Sequence, residues 1–185
     1  MSFLDRWRRV DEIELEVDQT EFQSLGSAIP LLKKFDYRPE ATNLREQIIV
    51  PVENDFGNYD LTLTHDREAS GLYLGAELHP AAPMNKELAV DLLRENGRLN
   101  NAKLALEANE GQDTYRILAI NEIRTPQLTN EQVVDEIRSF DAAVTFEYRQ
   151  IRGLASKNGI ELPELPARNR GSGLTALPWE DETVE

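Results

Sequence analysis

Between Asn130 and Arg152, Val133, Ile137, Phe140, Val144, Tyr148 and Ile151 recur every three or four residues. That period lays one continuous apolar stripe along a helix of roughly six turns. Such a stripe gains its stability by lying on another apolar surface, so the rest of the chain must provide one. Pro126 precedes the run, and Thr129 with Gln132 stands at capping-box spacing, where each side chain reaches the other residue's backbone N–H.

The surface is supplied upstream. Gln47–Val52 is rich in β-branched residues, with Pro51 arguing for an edge or a strand end. Tyr59, Leu61 and Leu63 alternate with Asp60, Thr62 and Thr64, the pattern of a strand with one wet face. Leu72–Leu78 reads as a third strand, and short links favour an antiparallel meander. Pro80 and Pro83 then punctuate before a helix capped by Asn85, with Leu88, Ala89, Leu92 and Leu93 on one face and a stop at Asn96-Gly97. Strands near 102–108 and 115–122 follow, joined by a hairpin turn at Asn109–Asp113. Ahead of the sheet, Thr20–Phe35 reads as helical, interrupted by Gly26 and Pro30, with Ser27 as a candidate cap. The expected fold is α+β: an antiparallel sheet of about five strands with helices packed on one face. Its order is helix, three strands, helix, two strands, helix.

Flanking segments differ in character. Residues 1–18 read as an N-terminal arm, with a short amphipathic helix over 3–10 and an alternating stretch over 12–17. After Gly153 the prolines and the Gly171-Ser172-Gly173 run cannot continue a helix, so 154–185 reads as a flexible acidic tail around a domain of 19–153. The tail carries Leu174, Leu177 and Trp179 beside acids, a pattern suited to docking in a groove of a partner or of its own domain.

Composition narrows the chemistry. Asp and Glu outnumber Lys and Arg by 34 to 20, a net charge of −14 that repels phosphate backbones, so nucleic acid is not an expected partner. No cysteine is present, which removes disulfides, thiolate metal sites and thiol nucleophiles. No run approaches the ~20 apolar residues of a membrane span, and the N-terminus lacks the order of a secretory signal. The expected location is the cytoplasm. The two histidines, His65 and His79, fall at expected strand ends and read as surface residues, not as a metal pair. Glycines are scattered, without a phosphate-binding loop. Carboxylate pairs such as Glu53 and Asp55 sit in expected turns, where solvent keeps them from acid–base work. The residues therefore predict no catalytic group, no metal and no cofactor.

The order of elements, with Leu92–Gly97 leading through Leu99–Leu106 into a strand, then Tyr115–Ile120 and Thr129–Gln132, resembles the type III secretion chaperone-like fold, which includes the Tir-chaperone and YbjN-like families. That resemblance implies a small acidic homodimer that binds a protein segment on apolar surface, with no catalytic residues. It places the binding or dimer surface on the segment Asn85–Ile120, with Leu88, Leu92, Leu93, Leu104 and Leu106 as the candidate residues. The expected function is a non-catalytic, chaperone- or adaptor-like protein-binding module. An assembly subunit anchored by its tail and a small-ligand sensor are the alternatives.

Overall fold

A computed structural model describes residues 20–44, 46–54 and 57–163. The expected arm, the tail beyond Pro163 with Leu174, Leu177 and Trp179, and the turn at Asp55 and Phe56 lie outside the described residues. The elements run α1 (Leu25–Lys34), β1 (Glu40–Ala41), β2 (Gln47–Asn54), β3 (Gly57–Asp66), β4 (Gly71–Pro83), α2 (Lys86–Glu95), β5 (Lys103–Ala108), β6 (Thr114–Arg124) and α3 (Asn130–Lys157). The strands form one antiparallel sheet in the order β1-β2-β3-β4-β6-β5. The α+β class and the element order are as expected. The additional strand is β1, two exposed residues too short to show a period.

The alternation along each strand decides which face is covered. Ile48, Val50 and Val52 pair with Leu63, Leu61 and Tyr59, and Leu61 and Leu63 pair with Ala76 and Leu74. These residues are buried in one core with Phe140, Val144 and the other inward residues of α3. The opposite face is mixed, with Thr62, Tyr73, Leu118 and Ile120 beside Glu77, Glu107 and Arg116. There Arg116 donates to Glu77 at 2.8 Å and Glu107 at 2.6 Å, tying β4, β6 and β5 together.

Three local readings are corrected. First, α1 is a single helix that starts after Ser24 and holds Pro30 inside it. Residues 20–22 are not helical; the Phe22 N–H donates to the Leu128 carbonyl at 2.8 Å, so the chain runs beside the entry to α3. Second, β4 runs on through Pro80 to Pro83. β3 stops pairing with β4 at Ala76, and the register to β6 shifts on either side of His79. A proline's missing donor is tolerated on such an irregular, one-sided stretch. Third, α3 does not end at Arg152. It carries Gly153 on an exposed turn and stops at Asn158-Gly159, where Gly159 has φ +71°. The Ile160 N–H bonds the Ala155 carbonyl and the Gly159 N–H bonds Ser156, the paired bonds of a glycine-terminated helix. Ile160 and Leu162 then pack back against the core.

Candidate polypeptide-binding edge

The helix α2 joins the long helix to the outermost strand. Asn85 caps its start, accepting from the Leu88 N–H at 2.8 Å while donating to the Asn158 carbonyl at 3.1 Å. Asp91, nearly two turns on, accepts from Asn158 at 3.1 Å and Lys157 at 3.0 Å, and these bonds hold its carboxyl below the usual range. At the other end Asn96 makes an unusual pair of contacts. Its Oδ1 accepts from the Leu104 N–H at 2.6 Å, and its Nδ2 donates to the Leu104 carbonyl at 3.0 Å. Lys103 Nζ closes the same turn by donating to the carbonyls of Asn96 and Leu99.

Strand pairing explains why Leu104 is free to do this. β5 is antiparallel to β6 in the register Lys103↔Ile120 through Ala108↔Tyr115. The Asn109 N–H bonds the Thr114 carbonyl in that same register, so the odd-numbered residues of β5 exchange main-chain bonds with β6. The even-numbered ones, Leu104, Leu106 and Ala108, point their N–H and C=O groups away from the sheet. Leu104 is met by the Asn96 amide, which stands where a residue of a further strand would stand. For Leu106 and Ala108 no such partner occurs among the described residues.

The five leucines singled out from the sequence divide. Leu88 and Leu92 are fully buried and Leu104 is 3% exposed, so these three belong to the core of a single chain and offer no free surface. The apolar face of α2 is consumed by α3 and β5. Leu106 is half-buried against that core, and Leu93 is 52% exposed, with Val90 on the same outer side of α2. The remaining large exposed apolar residues among those described are Leu44 and Phe146.

The polar interior holds what sequence reasoning missed. Both histidines are buried, not on the surface. His65 continues the inward period of Tyr59, Leu61 and Leu63, and that alternation was the available signal; its ring meets Phe22 edge-on at 5.0 Å. His79 lies beyond a register shift, where counting by twos fails. Its Nδ1 accepts from the Ala81 N–H at 3.2 Å, so Nε2 carries the proton and donates to the Pro163 carbonyl at 3.3 Å. Burial holds its pKa below the ordinary histidine value. Glu147 on α3 is 1% exposed, and its Oε2 has no hydrogen-bond partner among the described residues. Burial first, and the Glu95 carboxylate on α2 second, push its pKa up to about 7. Among the described residues no three His, Asp or Glu side chains gather as a metal site. No helix of the described residues is long and apolar enough to cross a membrane.

No family model matches the sequence, and no curated protein matches it. Solved structures do. The E. coli protein YbjN, a proposed transcription regulator, superposes with a TM-score of 0.53 at 13% identity, over 76% of this chain and 97% of that one. The structure of the HopA1–SchA chaperone–effector complex matches with a TM-score of 0.45 at 17% identity, over 67% of this chain and 88% of that one. The chain has the YbjN-like α+β fold to which its sequence pointed.

Proposed function

We propose that the protein is a non-catalytic binding module that holds an extended segment of another polypeptide along the β5 edge. The observation that carries this reading is the Asn96 amide paired with both main-chain groups of Leu104, next to groups at Leu106 and Ala108 that no described residue meets. An edge of this kind accepts strand addition, in which main-chain bonds give affinity and alternate side chains give specificity. Leu106 on the core side and Lys103 and Glu107 on the other would present different surfaces to the two sides of an incoming strand. Val90 and Leu93 add exposed apolar area on the helix that ends at Asn96. A regulatory role like that proposed for YbjN is compatible if it acts through a protein, since a charge of −14 disfavours direct contact with DNA. The homodimer implied by the resemblance would pair two such edges.

The test is Ala108→Pro. It removes one outward donor at an exposed position whose N–H takes no part in the β6 ladder. Affinity purification from the native cell should return the partner with the wild type and with Phe146→Asp, a change on the far side of α3. With Ala108→Pro the recovery should fall about tenfold, the effect of losing roughly one hydrogen bond and its geometry. A self-associated form seen by light scattering should dissociate with the same change. Undiminished recovery from a folded Ala108→Pro protein would remove β5 as the docking edge.

A further inference from the structure

The contact between α2 and α3 contains a group that does not suit it. Glu147 is buried to 1% exposure on α3, with an oxygen that nothing among the described residues bonds, and the charge acting on it from the neighbouring helix is another carboxylate, Glu95. The nearby cations are directed elsewhere: Arg98 is paired to Glu95, and Arg94 and Lys157 to Asp91. On α3 the residues a turn away, Ala143, Val144, Gln150 and Ile151, carry no charge, nor do Leu104, Leu106, Ile117 and Ala119 on the inward side of β5 and β6. A buried carboxylate without a counter-ion or hydrogen bond is costly, whereas the neutral acid is tolerated.

We propose that Glu147 and Glu95 form a proton-held clasp: with Glu147 neutral, α2 lies closed on α3 and β5, and ionisation of Glu147 loosens α2 and withdraws Asn96 from Leu104. The clasp occupies the right place for this. One end of α2 is fixed to α3 by Asn85 and Asp91, through Asn158 and Lys157, while the other end carries both Glu95 and Asn96. Movement about the fixed end would free the Leu104 main chain and lengthen the open stretch of β5 from two outward residues to three. Only this last step rests on the β5 edge being the docking site; the movement of α2 does not.

Hydrogen exchange read by mass spectrometry on the full chain tests the clasp without any partner. Samples at about pH 6 and about pH 8 lie on either side of the Glu147 midpoint. After correction for intrinsic exchange, amides of residues 93–96, at the free end of α2, and of Leu104 should lose about tenfold or more of their protection at the higher pH, with α3 unchanged. In Glu147→Gln the protection should be the same at both pH values. Equal protection in the wild type, or a pH effect that survives in Glu147→Gln, overturns the proposal. Should Glu147→Gln not fold, Glu95→Gln decides: removing the facing charge must shrink the loss at pH 8, and an unchanged loss overturns the clasp. Partner recovery with Ala108→Pro, measured at both pH values, is independent of these outcomes. A flat exchange profile with recovery still lowered about tenfold by Ala108→Pro would end the clasp and leave the docking edge standing.

Discussion

Asp141 joins three distant parts of the chain at one buried side chain. It is 4% exposed on α3, and its two oxygens accept from Tyr37 at 2.7 Å and Tyr59 at 2.6 Å, residues 104 and 82 positions away in sequence. Tyr59 also shares a 2.7 Å bond with Thr145. The segment after α1, strand β3 and α3 are thus joined at one carboxylate whose cost of burial is offset by two phenolic donors. Deleting a donor and deleting the acceptor are therefore unequal changes. Tyr37→Phe should lower unfolding stability by about 1 kcal/mol, since the bond to Asp141 is lost while the ring stays in place. Asp141→Ala should cost more, about 2 kcal/mol or above, because the bonds from Tyr37 and Tyr59 are lost together, with Thr145 left as a partner for Tyr59. Urea denaturation followed by circular dichroism gives both numbers, and near-equal costs would mean the two tyrosines find other acceptors.

For α2 the same helix carries two kinds of leucine one residue apart. Leu92 is fully buried and Leu93 is 52% exposed. Leu92→Asp should destabilise by about 4 kcal/mol or more by placing a charge in the core. Leu93→Asp should leave thermal unfolding within a few degrees of the wild type, as surface changes do. A comparable loss from Leu93→Asp in the thermal melt would show that its outer side is covered in solution. How legible each element was follows from the kind of signal it carries. The stripe and capping box of α3 are local and unambiguous, and the box is present with both its bonds. Strand period assigned β3 for the same reason, while β-branched composition marked β2 and a hairpin turn marked β5 and β6. The end of α3 was misread because Gly153, exposed on the helix, needs no special conformation there, whereas Gly159 does. At the candidate edge, turn and capping signals placed the helix and strand that form it. They could not say that Leu88, Leu92 and Leu104 are used up by one chain, nor that Asn96 turns from helix stop to strand partner. Those facts depend on which faces meet, and periodicity within an element does not encode its neighbour.

Across the whole molecule, two buried groups set opposing responses to pH. His79 is held neutral, with its pKa below the ordinary value. As pH falls below about 6.5 the unfolded histidine takes a proton that the folded one resists, so stability is lost on the acid side. Glu147 acts in the other direction. Its unfolded carboxyl ionises near 4.5 and its folded one only near 7. Between those values the folded state holds more protons than the unfolded, so stability falls as pH rises through that window and the loss is complete above it. A shift of that size corresponds to roughly 3 kcal/mol. The other carboxylates of so acidic a chain also change the background with pH, and comparison with Glu147→Gln cancels them. The variant minus wild-type difference in urea-derived stability should rise by up to about 3 kcal/mol between pH 5 and pH 8. A constant offset from the buried amide leaves that slope untouched. If α2 opens when Glu147 ionises, the rise stops short, because the molecule need only meet the smaller cost of opening one helix. A difference that stays flat across the range would mean that Glu147 is charged in the fold at every pH tested.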